Sequence, residues 1–361
     1  MTEMFPLAST DHPTPREEID AILADPGFGR YFSDHMATVS WTPDEGWHGH
    51  GVRALAPFSL HPCAAVLHYA QEILEGLKAF RHADGSVWLF RPELNARRFA
   101  ASADRMALPR IDEETFVESV AALVRADEAW VPSYGGEHSL YVRPFMFGAE
   151  AFLGVRPARE VTYCVVATPA GAYFPNGPTG VTLWISTAYS RAAPGGTGAA
   201  KCGGNYGASL APQLEAVENG CDQVLYLTTG DRRVIDESGT MNVFFVTRDG
   251  ELATPPLGTI LDGVTRDSVL TLAEEQGLKP VERSLDLDEL REGIADGSIA
   301  EAFAAGTAAV ISPIVGFKAK GFQATLGEGK PGPLTMAFRG HLLDIQYGRA
   351  EDRHGWMRRV L

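Results

Sequence analysis

The spacing of hydrophobic and polar residues along this chain changes period several times, and each change marks an element. Val181-Thr-Leu-Trp-Ile185 and Ser139-Leu-Tyr-Val-Arg-Pro-Phe-Met-Phe147 alternate with period two, which predicts strands, and Val161–Thr168 and Gln223–Leu227 read the same way. His68 to Arg81, the turn Asp84-Gly85 and Val87–Phe90 predict two antiparallel strands about a hairpin. A second hairpin is predicted where Val234–Asn242 enters Val243–Thr247, with the turn Asp249-Gly250 and a return over Glu251–Thr254. Helical signals begin at Arg91-Pro92-Glu93, in a segment carrying Leu94, Arg97, Arg98, Ala101 and Arg105. They recur from an Asp112 cap to about Val131, over Ala208 to Asn219, and from near Thr265. Residues 1–60 hold prolines and aromatics with little periodicity, which predicts an extended segment draped over the fold or a partner subunit.

Length turns these elements into domains. A chain of 361 residues exceeds what one core usually holds, and the Pro/Gly-rich stretch Pro169–Pro178 is its best boundary. The expected division is a smaller α/β domain over 1–172, a linker over 173–185 and a larger domain over 186–361. Apolar content of 45% fits a globular protein, and a net charge of −15 argues against nucleic acid or an anionic membrane as partner. No segment reads as a signal peptide or membrane span, so a cytoplasmic location is expected. Cys63, Cys164, Cys202 and Cys221 lack C-x-x-C spacing, and the ten histidines form no H-E-x-x-H pair, so neither a disulfide framework nor a metal site is expected.

The chemistry centres on Gly195-Gly-Thr-Gly-Ala-Ala-Lys-Cys-Gly-Gly-Asn-Tyr-Gly-Ala-Ser-Leu210, where Lys201 lies among glycines and small residues. Small neighbours admit backbone and a bulky ligand, and a lysine kept from water favours the neutral, nucleophilic amine of Schiff-base chemistry. A phosphate loop fits poorly, because Lys201 follows alanine and precedes cysteine instead of standing in Gly-Lys-Ser/Thr. A solvated lysine on a surface loop is the plainer alternative.

Other candidates are weaker singly. Glu237 and Asp236 are acids beside an apolar run, open to turn chemistry or to pairing with a buried cation. The helix start near Thr265 and the small-residue turn in Ala304–Pro313 can each present backbone N–H groups to an anion. Tyr141 and Arg143, two apart on a strand, share a face that suits a carboxylate or simply meets solvent. Arg98 reads as a phosphate ligand or a solvated helix charge.

Together these features match one constellation. Glu75-Gly-Leu-Lys-Ala-Phe80, Tyr141-Val-Arg-Pro-Phe145, the 195–207 loop, Glu237-Ser-Gly-Thr-Met-Asn242, Gly263-Val-Thr-Arg266 and Gly306-Thr-Ala308 closely resemble the branched-chain amino acid aminotransferases over roughly residues 55–360. That resemblance implies an α+β fold-type IV enzyme of two domains, the larger one binding pyridoxal 5'-phosphate around a β-barrel-like core. It implies Lys201 as the Schiff-base lysine and proton carrier, Glu237 at the pyridinium nitrogen, Tyr206 on the ring oxygen, and Arg98, Val264, Thr265 and Thr307 on the phosphate. Tyr69, Leu74, Tyr141, Arg143, Val155 and Tyr173 would line the substrate pocket, with Thr240, Thr307 and Ala308 receiving the α-carboxylate. The implied reaction is ping-pong transfer of an amino group between L-leucine, L-isoleucine or L-valine and 2-oxoglutarate, in a homodimer. Leu74 departs from the phenylalanine of many relatives, which leaves open a related aminotransferase for a larger or β-branched non-standard amino acid. Ala308-Ala-Val-Ile-Ser312 also lacks a C-x-x-C, so no thiol switch is expected there.

Overall fold

The computed structural model describes residues 4–174, 177–229 and 233–361. The chain forms two compact units, one of residues 1–173, 200–203 and 344–361, the other of residues 174–199 and 204–343. Each has its own sheet.

The first unit opens with helix α1 (Arg16–Ala24) and the antiparallel strands β1 (His35–Thr42) and β2 (Gly46–Ala54). After them come α2 (Ala65–Tyr69), β3 (Glu72–Leu74), β4 (Leu77–Arg81), β5 (Val87–Phe90), α3 (Pro92–Arg105), α4 (Glu113–Ala126), β6 (Ser139–Gly148) and β7 (Val161–Ala170). The sheet runs β5-β4-β6-β7-β1-β2, with β3 on β6 and a strand from the chain's end, Met357–Arg359, on β5. That last pairing ties residues 344–361 to this unit. Helices α3 and α4 cover the sheet through Phe99, Phe116 and Tyr163, all fully buried, with Phe99 5.3 Å from Phe116 and 5.6 Å from Tyr163. Asp112 caps α4 as its sequence suggests, accepting from Thr115 N at 2.8 Å.

Three expectations change here. Residues 1–60 are not simply extended: β1 and β2 pair across Thr42-Pro-Asp-Glu-Gly46, where Gly46 takes φ 65° to reverse the chain. The helical run from Asp112 reaches Val131 in two pieces: α4 ends at Ala126, and a single 3-10 turn, Glu128–Trp130, follows Asp127, whose carboxylate lies 2.6 Å from His35 Nδ1 and accepts from the His35 backbone N at 3.0 Å. The run His68–Arg81 is not one strand. Ala70 adopts φ 46° after α2, and the chain breaks again at Glu75-Gly76 between β3 and β4, where the Glu75 carboxylate turns inward.

The second unit contains β8 (Val181–Ile185), α5 (Gly203–Gly207), α6 (Leu210–Glu218), β9 (Gln223–Leu227), β10 (Ile235–Ser238), β11 (Asn242–Thr247), β12 (Glu251–Thr254) and α7 (Val264–Ala273). It continues with β13 (Lys279–Glu282), α8 (Leu287–Asp296), β14 (Ile299–Gly306), β15 (Val310–Ala319), β16 (Phe322–Thr325) and α9 (Pro333–Gln346). The strand order is β10-β9-β8-β15-β14-β11-β12-β13, with β16 on β15. Strand β11 pairs with β14 so that Phe244 faces Phe303 at 5.0 Å and Asn242 faces Ala305. This register sets the 239–241 turn beside the 306–309 turn. Gly306 makes the approach feasible, since a Cβ there would lie 2.9 Å from Met241 Cγ.

Among the described residues, no helix is long and apolar enough to cross a membrane, and no group of three His, Cys, Asp or Glu could hold a metal. The four cysteines are free, and Cys202 is a buried filler of the first core.

Candidate active site

In the first unit the chain places Lys201 by its backbone. Lys201 N donates to Ser102 Oγ at 2.9 Å, its carbonyl accepts from Leu74 N at 2.9 Å, and Gly203 N donates to the Glu72 carboxylate. Glycine is required at 203, because a Cβ would lie 2.3 Å from Glu72 Oε1. Burial lowers the Lys201 ammonium below the ordinary lysine range, and the nearby Arg98 charge adds to the effect. Glu75, Tyr141 and Arg143 complete the charges that face it, Glu75 and Tyr141 working to raise it and Arg143 to lower it. The neutral amine is favoured more than in an exposed lysine as a result.

Glu75 is the residue that motif reading undervalued. It is fully buried, and Arg98 grips it as a fork, Nε to Oε1 at 2.7 Å and Nη2 to Oε2 at 2.8 Å, while Asn95 Nδ2 donates to Oε2 at 2.8 Å. Burial pushes its carboxyl upward, but Arg98, Lys201 and Asn95 outweigh that and hold it below the usual carboxylate range. Gly76 beside it must be glycine, since a Cβ would lie 2.0 Å from the Tyr141 hydroxyl. That hydroxyl accepts from Arg143 Nη2 at 2.9 Å, so the two strand neighbours act as one polar pair. An acid before glycine in an apolar strand was the available signal.

Tyr69 is anchored by its hydroxyl on Leu153 O at 2.5 Å, in the segment that carries Val155, which is 90% exposed. Leu74 is half-buried at the Lys201 carbonyl, and Tyr173 is exposed. The charges that bear on Lys201 come from Arg98, Glu75, Tyr141 and Arg143 instead of from these four.

In the second unit Glu237 is buried on β10, with Arg191 Nε 2.8 Å from Oε2 and Asn242 Nδ2 donating to Oε1 at 2.9 Å. Arg191 lies far upstream with no local signal, which is why sequence reading missed it. Beside Glu237, burial raises the Asp236 carboxyl even though Thr259 donates to it at 2.6 Å. Asn242 also donates to Leu261 O at 2.9 Å, joining Glu237 to the approach of α7. Val264 and Thr265 form the first turn of α7 and are buried, and Gly263 precedes them with no side-chain cap. Thr307 and Ala308 sit half-buried on the neighbouring turn, while Thr240 is exposed on the turn after β10. Tyr206 lies on α5, its carbonyl accepting from Ser209 Oγ at 2.7 Å. The register thus brings Glu237, Thr240, Val264, Thr265, Thr307 and Ala308 to one end of the second sheet.

The sequence comparisons decide between family assignments for this arrangement. The amino-transferase class IV family model matches residues 72–317. The branched-chain-amino-acid aminotransferase of Mycolicibacterium smegmatis is 50% identical over 360 residues, covering 99% of this chain and 98% of the relative. The chain belongs to the branched-chain-amino-acid aminotransferases of class IV. The cytosolic enzyme of Mus musculus, also named a branched-chain-amino-acid aminotransferase, is 46% identical over 90% of this chain and 86% of its own. Among solved structures, the Escherichia coli branched-chain amino acid aminotransferase superposes with a TM-score of 0.73 at 28% identity, covering 90% of this chain and 100% of that one. The T.th. branched-chain amino acid aminotransferase, solved with pyridoxamine 5'-phosphate, gives the same TM-score of 0.73 at 27% identity, over 90% of this chain and 99% of its own. The fold of this family member is therefore the two-domain fold-type IV architecture.

One consequence concerns Gly263 in this class IV chain. A Cβ there would lie 2.0 Å from Asn242 Oδ1, so Gly263→Ala displaces the amide that holds Glu237. Overpacking of this kind costs about 1–3 kcal/mol. The variant should lose thermal stability by that amount and release its cofactor more readily in equilibrium dialysis. Native stability together with native cofactor retention would show that the Gly263–Asn242–Glu237 contact carries no such role.

Proposed function

We propose that the chain is a pyridoxal-phosphate-dependent aminotransferase exchanging amino groups between L-leucine, L-isoleucine or L-valine and 2-oxoglutarate. The observation that carries this reading is a half-buried lysine, fixed through its backbone on Ser102 and Leu74 and disfavoured as an ammonium, in a family whose members bear this activity in their names. The residues fit the cofactor by their chemistry: a nucleophilic amine, a buried carboxylate held by a guanidinium, and a helix start with glycine before it. When bound, pyridoxal phosphate supplies an aldehyde and an electron-accepting ring.

Each residue then has a role within that reading. Lys201 Nζ would hold the cofactor and, with substrate bound, would take the substrate α-proton as general base and return it as general acid. Glu237, kept in place by Arg191 and Asn242, stabilises a proton on the ring nitrogen. Tyr206 hydrogen-bonds the ring oxygen. Arg98, oriented by Glu75, would hold the phosphate, a role the resemblance also gives to Val264, Thr265 and Thr307. Thr240, Thr307 and Ala308 take the α-carboxylate, and Tyr141 with Arg143 receives the glutamate side-chain carboxylate. Tyr69, Leu74, Val155 and Tyr173 shape the pocket for apolar side chains. The T.th. relative was solved with N-(5'-phosphopyridoxyl)-L-glutamate and with 4-methylvaleric acid, which supports one pocket for both side-chain types. The working form is a cytoplasmic homodimer.

The test is a half-reaction. Mixed with single amino acids, the purified yellow protein should lose its visible absorbance with L-leucine, L-isoleucine, L-valine and L-glutamate, and keep it with the D-isomers. A yellow protein that none of these L-amino acids bleaches would overturn the substrate assignment and favour the rival substrate class raised by Leu74. A protein that takes up no pyridoxal phosphate would overturn the cofactor assignment as well.

A further inference from the structure

The turn Gly306–Val310 between β14 and β15 carries Thr307 and Ala308, and its strands close with Gly306 opposite Val310. Val310 has φ 61°, in the left-handed region where a β-branched residue is an outlier that only surrounding structure maintains. Its side chain is buried, 3% exposed, so Val310 is fixed in the protein interior. The two peptide carbonyls that flank it share one donor. Arg339 Nη1, on α9, donates to Ala309 O at 2.8 Å and lies 3.3 Å from Ile311 O. Arg339 is 2% exposed and reaches the turn from a helix that is itself tied to β14. Glu301 accepts from Leu334 N at 3.1 Å and from Thr335 N and Oγ1, each at 2.8 Å. Gly332 admits that carboxylate, since a Cβ there would lie 2.0 Å from Glu301 Cδ.

We propose that Arg339 is a positioning residue for the substrate-carboxylate turn. By straddling Val310 it holds the left-handed kink, and the kink sets the direction of the Thr307 and Ala308 peptide groups before ligand arrives. This inference rests on the aminotransferase reading, in which that turn receives the α-carboxylate and part of the phosphate. Such pre-ordering lowers the cost of binding both the amino acid and the oxo acid, because each presents the same carboxylate to the turn.

The experiment compares Arg339→Met and Arg339→Lys, each alone and combined with Val310→Gly, in steady-state assays with L-leucine and 2-oxoglutarate and in thermal unfolding. Glycine takes φ near +60° unaided, so it substitutes for the restraint. Arg339→Met should raise KM for both substrates about tenfold with kcat within about threefold, and Val310→Gly should recover about threefold or more of that rise. Arg339→Lys keeps the charge and a single nitrogen able to meet both carbonyls, but on a shorter, more flexible stem, so a smaller rise, about three- to fivefold and again reduced by Val310→Gly, is expected. If Arg339→Met does not fold, the lysine variant decides. Native KM in a folded variant, or a raised KM that glycine at 310 leaves unchanged, overturns the proposal; lowered thermal stability with native KM is the mark of a merely structural arginine. An unsubstituted protein inert toward every amino acid would remove the aminotransferase reading itself, whereas an active one with indifferent Arg339 variants removes this inference alone.

Discussion

Lys201→Ala is expected to lower transamination by on the order of 10⁴-fold, since both the nucleophile and the proton carrier disappear with one side chain. The fold should survive. Both hydrogen bonds that place residue 201, to Ser102 and from Leu74, use its backbone and remain available to alanine. The stability change has a definite sign. Because burial lowers the Lys201 ammonium, the unfolded chain binds more protons than the folded one between the folded value and the ordinary lysine value. The lysine therefore costs stability in full below the folded value, and the cost fades as pH rises to the ordinary value. Thermal unfolding of the cofactor-free protein should find Lys201→Ala at least as stable as the parent near neutral pH, with the difference shrinking in alkali. A variant that transaminates at the parental rate would sink the assignment of Lys201.

Arg98→Met is expected to have the largest effect on stability. Glu75 is fully buried, and its two oxygens are held by the Arg98 fork, with Asn95 Nδ2 and Gly76 N supplying two further donors to Oε2. Removing one partner of a buried pair leaves an uncompensated charge and costs about 3–5 kcal/mol. Replacing both partners, as Arg98→Met with Glu75→Leu, should recover much of that loss without restoring activity, because the remaining chain lacks the guanidinium assigned to the phosphate. The pH dependence follows from the same pair. The Glu75 carboxyl is held low, so its contribution is present above the ordinary glutamate value and is lost as pH falls through the folded value. Acid unfolding of the double variant should accordingly be less steep over that interval. Equal denaturation midpoints for the parent and the Arg98→Met single variant would show that the fork is not a stabilising element.

The long periodic elements were legible from local pattern alone. Helices α3 and α4 announce themselves by Pro92 at the first turn and Asp112 as cap, and β6 by its alternation, because these signals arise from contacts a few residues apart. Residues 35–54 were misread because their strands contain glycine, histidine and tryptophan in place of a clean alternation, and only pairing with β7 and with each other makes them strands. At Glu75-Gly76 the acid before glycine marked the place, but not the break itself, for a related reason. Its cause, Arg98, lies a helix away.

The same division holds for the candidate site. Lys201 in its small-residue loop, the acid pair at 236–237, the glycine before α7 and the turn at 306–308 stood out by residue type and spacing, each with a plainer reading beside it, and resemblance to one family joined them into a candidate site. What charge each group carries and what holds it there was decided by the tertiary structure. Glu75 is held ionised by Arg98 and Asn95, Glu237 is held by Arg191 and Asn242, and the kink at Val310 is gripped by Arg339. Burial and Coulomb interaction act through space between residues distant in sequence, so pKa direction, pairing and backbone strain exist only once the chain has folded.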